Sequence, residues 1–117
     1  MRIQKSKIRA EITGGQAVVR FLSPSVREMS EVQKIADEIE EVACNYKITV
    51  LVINFAGVKQ LTSSFLSRLV TLNRALRQTE IGLRLCGMSP EVKRVFKICK
   101  LEKIIPLFGN EDKALRG

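Results

Sequence analysis

Polar and apolar residues alternate along residues 7–13, KIRAEIT, with Ile8, Ala10 and Ile12 on one side. A period of two is that of a strand with one buried face. Gly14-Gly15 supplies a turn, and QAVVRFL follows, so the two segments predict an antiparallel hairpin. SPSV (23–26) ends it. From Arg27 to about Asn45 the period changes. Met29, Val32, Ala36, Ile39 and Ala43 recur at steps of three and four, and Tyr46 continues the series. That spacing is one face of a helix. Glu28, Glu31, Asp37, Glu38, Glu40 and Glu41 stand off the stripe and are expected to face water.

Residues 48–55, ITVLVINF, are apolar on both alternating faces apart from Thr49 and Asn54, which predicts a central strand buried on both sides. AGV closes it. A second helix is predicted from about Ser63 to Arg77. Phe65, Leu69, Leu72 and Leu76 form its buried stripe, widened by Leu66 and Val70. Ser64, Ser67, Arg68, Thr71 and Arg74 are left on the outer side. IGLRLCGM (81–88) is the next strand. Ser89 then suits an N-cap, Pro90 the first helical position and Glu91 the first turn of a third helix. Its predicted buried stripe is Val92, Val95, Phe96 and Cys99. KIIPLF (103–108) reads as a short last strand near an edge, because Pro106 has no N–H. NEDKALR reads as one closing helical turn. Strands alternating with helices predict an α/β fold: a single domain over 1–117, with a mixed sheet, an antiparallel opening hairpin and helices mostly on one face.

Composition narrows the chemistry. A chain of 117 residues can bury a core without disulfides or metal, and with five Phe, one Tyr and no Trp that core is mostly aliphatic. No apolar run approaches the roughly 20 residues needed to cross a bilayer, and the N-terminus lacks a signal-peptide h-region, so a cytoplasmic protein without a membrane partner is expected. Cys44, Cys86 and Cys99 are odd in number, lack CxxC spacing and sit in apolar contexts, so all three are expected in the core, reduced. The absence of His removes the commonest general base and most transition-metal sites. There is no phosphate-cradling GxxxxGK[ST] or GxGxxG loop. No catalytic set, metal or cofactor is called for, and the expectation is a binding protein and not an enzyme.

Charge is uneven. Residues 1–60 carry nine Lys/Arg against seven Asp/Glu, and residues 61–117 carry eleven against five. Lys93, Arg94, Lys97 and Lys100 lie off the apolar stripe of the third helix. They form a solvated basic face, or one that meets an acidic partner. Nucleic acid is disfavoured, because no exposed aromatic residues interleave with these bases.

QLTSSFLSRL (60–69) carries the candidate site. It follows the buried strand and opens the second helix, where α/β domains commonly place function. A helix start leaves N–H groups unpaired and is partially positive. Thr62 or Ser63 suits the cap. Ser64 is then expected to be exposed, with Arg68 four residues on. A phosphate on Ser64 would lie near the free N–H groups and within reach of Arg68.

VLVINFAGV, LTSSFLSRL and above all LCGMSPEVKRVFKICKLEKIIPLF give the chain a resemblance to the STAS domain, the bacterial anti-sigma factor antagonist family, over nearly its whole length. The resemblance implies a mixed sheet with helices. It also implies a serine at the helix opening that is phosphorylated by a partner kinase, the anti-sigma factor, which binds only the unphosphorylated form. The family pattern there runs Asp-Ser-Ser-Gly or Asp-Ser/Thr, after a strand that often ends in Asp. By that match the strand Asp is Asn54, the loop Asp is Thr62, the hydroxyl positions are Ser63 and Ser64, and the Gly is Phe65. Ser64 corresponds to the phosphorylated serine of the longer version and Ser63 to that of the shorter. Two acids have become neutral and a Gly has become Phe. An inward Phe65 would preserve the docking face; an outward one would change it. The leading expectation is a module docking an anti-sigma factor or related Ser/Thr kinase through Asn54, Thr62, Phe65, Ser67, Arg68 and Thr71, switched at Ser64 or Ser63. The alternatives are a constitutive adaptor, or a ligand or nucleic-acid binder using the basic half.

Overall fold

The alternation of Ile8, Ala10 and Ile12 becomes strand β2 (Ile8–Thr13), which pairs antiparallel with β3 (Gln16–Phe21) across the Gly14-Gly15 turn. Both glycines have positive φ, the conformation that a two-residue hairpin turn demands. The computed structural model describes residues 1–23, 25–26 and 28–117, Ser25 by its backbone alone. Parts of the predicted break at SPSV and the helix start at Arg27 therefore lie outside the described residues.

A short strand not anticipated from the sequence, β1 (Arg2–Gln4), adds an edge beside β2. β3 then pairs parallel with β5 (Val50–Asn54), β5 with β7 (Gly82–Cys86), and β7 with β8 (Leu107–Phe108). The sheet order is β1-β2-β3-β5-β7-β8, mixed as expected, with the antiparallel strands on one side. The segment 103–108 yields only two strand residues, β8, at the far edge. A 3₁₀ turn over Leu101–Lys103 takes up its beginning. A separate two-residue parallel ladder joins β4 (Ser25–Val26) to β6 (Gln60–Leu61).

Helices α1 (Met29–Asn45), α2 (Ser63–Gln78) and α3 (Pro90–Ile98) contribute to the main core. The fourth helix, α4 (Glu111–Arg116), covers the opposite face, over Val18, Val52 and Cys86. Central strand β5 is thus buried on both sides: Leu51 and Ile53 face the main core and Val52 faces α4. Ser89 caps α3, accepting from the Val92 N–H at 3.3 Å, with Pro90 in the first helical positions, as its sequence predicts.

Outside the start of α2, five of the described side chains lie elsewhere than their periodicity suggests. Met29 is 70% exposed, because the buried stripe of α1 starts one turn later, at Val32, and runs through Ile35, Ile39 and Val42. Glu38, expected in water, is 7% exposed. It accepts from the Ser6 and Lys7 N–H groups at 3.2 and 2.8 Å and from the Ser6 hydroxyl at 2.6 Å. It closes the bend between β1 and β2, a demand set by a distant segment. Only Cys86 of the three cysteines is buried. Cys44 falls just outside the α1 stripe, and Cys99 is the C-cap of α3, where the helical period stops. Val95 lies on the flank of a helix short enough to be held by Val92 and Phe96 alone. No helix among the described residues is long and apolar enough to cross a membrane.

Candidate functional site

The carboxyl ends of the parallel strands form one rim, where the loops after β5, β7 and β8 lead into α2, α3 and α4. Three helix N-termini therefore gather there, each with unpaired N–H groups and partial positive charge. α4 answers its own with Glu111, and α3 carries Glu91 in its first turn. α2 has no acid in its first turn.

Thr62 is the N-cap of α2. Its Oγ1 accepts from the Phe65 N–H at 3.4 Å, and its carbonyl from Phe65 and Leu66. This divides the two serines. Ser63, the first helical residue, is exposed; Ser64 is half-buried. The exposed stripe of α2 accordingly starts at Ser63 and continues through Ser67, Thr71 and Arg74, at spacings of four, four and three. Thr71 hydrogen-bonds the Ser67 carbonyl at 3.2 Å and remains exposed.

Arg68 does not extend outward beside Ser64. Its guanidinium turns toward α1, 3.8 Å from Asp37 and 3.9 Å from Glu40, with Nε buried and unpartnered. Acids on a neighbouring helix draw it there, and a helical wheel of α2 alone does not contain them. Phe65 turns inward and is 1% exposed. Its ring meets Phe21 at 5.9 Å and Phe55 at 6.3 Å, and Phe55 in turn meets Phe21 at 5.2 Å and Phe96 at 5.8 Å. These tilted and edge-on contacts pin the start of α2 to the ends of β3 and β5. Phe65 is therefore core, the inward one of the two orientations expected for it, and the hydroxyl face stays clear of it.

Asn54 stands on the α4 side of β5, away from α2. Its amide donates to Glu111 at 2.5 Å, and its carbonyl oxygen accepts from the Ala56 N–H at 2.8 Å. Glu111 is also gripped by both ends of the Arg20 guanidinium, at 2.7 Å each, and Glu11 lies 3.4 Å from Arg20. The Arg20 bonds, opposed by burial and helped by Asn54, hold the Glu111 carboxyl below the usual carboxylate range. This cluster leaves no local signature in the sequence, because Arg20 and Glu111 are 91 residues apart.

Lys93, Arg94, Lys97 and Lys100 are all exposed. At about 100° per residue, Lys93 and Lys97 share one flank of α3 and Arg94 stands apart, whereas Lys100, expected on the same helix, lies beyond its end at Ile98 in a left-handed conformation at φ +60°. Lys93 and Lys97 line a shallow depression with Lys103, which joins them from the 3₁₀ turn. Among the described residues no group of His, Cys, Asp and Glu is arranged to hold a metal.

A family model described as STAS domain matches residues 7–114. The chain is similar to the solved structure of an anti-sigma factor antagonist from Mycobacterium paratuberculosis, at 26% identity and a TM-score of 0.81, over 93% of this chain and 90% of that one. It is similar to an anti-sigma-factor antagonist (STAS) domain protein from Planctomyces limnophilus, at 22% identity and a TM-score of 0.82, over 97% and 98%. It also resembles the phosphorylated form of the Bacillus cell fate determinant SpoIIAA, at 20% identity and a TM-score of 0.68, over 93% and 96%. No curated protein sequence matches the chain.

Proposed function

The chain belongs to the STAS domain family, and from that membership we propose that it is a regulatory module that docks an anti-sigma factor or related Ser/Thr kinase. Docking uses the start and exposed stripe of α2, and a phosphate on Ser63 or Ser64 releases the partner. The observation that carries the reading is the uncluttered α2 opening: an exposed Ser63, a neutral cap at Thr62 and no acid in the first turn. A phosphate there would meet backbone N–H groups and the positive helix end, a local gain of about 0.3–1 kcal/mol. Its larger effect would fall on the partner, where a flat hydroxyl face becomes doubly charged. Exposure favours Ser63 over Ser64. Arg68 supports α1–α2 packing in this reading, and Ser67 and Thr71 supply the contact surface.

Intact-mass measurement after incubation with ATP and the kinase that co-purifies with the protein tests the switch. A single added phosphate is expected, abolished in Ser63→Ala and retained in Ser64→Ala. If neither serine takes a phosphate, and Ser63→Asp leaves the co-purified partner bound, the switch is excluded. A constitutive adaptor is then the better account, a reading that Asn54 also favours, since this match to the family's strand Asp is tied to Glu111 away from α2.

A further inference from the structure

α4 covers only the parallel part of its sheet face, with Ala114 over Val18, Val52 and Cys86. On the antiparallel part, the residues that alternate away from the core are Arg2 and Gln4 on β1, Arg9 and Glu11 on β2, and Arg20 on β3. Together they line an open cavity of about 390 Å³. A second cavity of about 340 Å³ adjoins it toward α4 and shares Glu11 and Arg20.

The charges in this trough are unbalanced in a specific way. Arg9 sits directly opposite Arg20 in the β2–β3 register. Like charges so placed destabilise a strand pair unless something answers them. Arg20 is answered twice, by Glu111 and by Glu11. Arg9 is not: its Nε donates only to the neutral Gln4 Oε1, at 3.1 Å. Arg2 lies opposite Glu11 in register, yet among the described residues its guanidinium makes no hydrogen bond or ion pair. Both carboxylates of the cluster are thus engaged by Arg20, and two guanidinium groups line the cavity without counter-charge. Arg2 and Arg9 are diagonal neighbours on one face, a relation that puts residues about 7–8 Å apart and their Cβ atoms somewhat closer. That separation lets two long side chains converge on one small anion. The planar fork of a guanidinium matches phosphate or carboxylate oxygens bidentately.

The geometry points to a binding site for a small oxyanion, phosphate or carboxylate, held between Arg2 and Arg9 on the open half of the sheet. The site is independent of docking at α2, which packs on the other face. A bound anion would also remove the Arg9–Arg20 opposition, so occupancy and sheet stability are linked.

The test is the melting temperature of the full chain in inorganic phosphate, in malonate and in sodium chloride at matched ionic strength, which separates binding from screening. Phosphate, malonate or both should raise it saturably above chloride, and which one does identifies the oxyanion. Arg2→Gln and Arg9→Gln should lose that rise, and Lys97→Gln on the α3 basic face should keep it. In chloride alone, Arg9→Gln should match or exceed the wild type, because it removes the like-charge pair. The Nε–Hε resonances of Arg2 and Arg9 should shift in proton–nitrogen spectra as the active anion is added. Four results would overturn the site: no rise beyond chloride, a rise that survives Arg9→Gln, a rise lost in Lys97→Gln, or an Arg9→Gln protein that melts lower in chloride.

Discussion

Phe65 opens the buried stripe of α2, and replacing it measures what holds the start of that helix. The ring is 1% exposed and meets Phe21 and Phe55 edge-on. Removing a buried Phe to Ala costs about 3–5 kcal/mol, and that range already contains the lost ring contacts. Against a total stability of about 5–15 kcal/mol, this is a large share. Urea unfolding followed by far-UV circular dichroism is the suitable assay, because the chain has no Trp. With a urea slope of about 2 kcal/mol per molar, Phe65→Ala should lower the midpoint by roughly 2 M. Phe65→Leu keeps most of the volume and should cost less than about 1.5 kcal/mol. Ser63→Ala, two residues away and exposed, should stay within about 0.5 kcal/mol. A Phe65→Ala cost below about 1 kcal/mol would mean that the ring contributes little to the fold. The aromatic cluster would then not anchor the helix start, and the exposed position of Ser63 would need another explanation.

Cys44 and Cys99 should react with a thiol reagent at once and Cys86 only on unfolding, because burial, and then the charge of Glu111, pushes its thiol up to about 11. Glu111→Ala, which removes the acceptor clasping α4 to Arg20 and Asn54, should speed Cys86 labelling in the folded protein; an unchanged rate would show that α4 is held otherwise. Burial raises the Glu38 carboxyl, but the Ser6 and Lys7 hydrogen bonds outweigh it and leave the group lowered. A lowered carboxyl stabilises the fold above its unfolded value of about 4.3 and loses that contribution as pH falls through the folded one. The wild-type urea midpoint should therefore drop below about pH 4, and Glu38→Ala, costing about 1–3 kcal/mol at pH 7, should flatten that drop. Gly87 has φ +72°, and a Cβ there would strike the Asn54 side chain and come within 3.2 Å of the Ala56 nitrogen. Gly87→Ala should cost more than about 1 kcal/mol by calorimetry.

Elements with a strong local signature were legible. The period of two over Ile8–Ile12, the two-sided apolar run at 50–54 and the Ser89-Pro90 cap each needed only neighbouring residues. What escaped was set by partners far along the chain. Three residues, Arg2–Gln4, are too few to show a period, and their strand exists because β2 offers an edge. Glu38 looks solvent-facing on a wheel until the β1–β2 bend presents three donors to it. Arg68 looks outward until α1 brings Asp37 and Glu40 beside it. At the candidate site the hydroxyls were visible from the sequence. Their division was not, since which serine is exposed depends on Thr62 being the cap and on Phe65 turning into a cluster built from β3, β5 and α3.

The β4–β6 ladder ties the chain entering α2 to the chain leading toward α1, and β6 ends one residue before the Thr62 cap. Ser63 is therefore presented on a corner whose backbone is committed on both sides, paired before it and helical after it. An enzyme that reads its substrate as an extended strand would have to peel the ladder apart and unwind a helical turn to reach the hydroxyl. One that reads shape finds the corner ready-made. A synthetic peptide of residues 60–69 would carry Thr62, Ser63, Ser64 and Ser67 and none of this geometry. It should be a poor substitute for the folded domain, because recognition at such a corner belongs to the fold and not to the order of its letters.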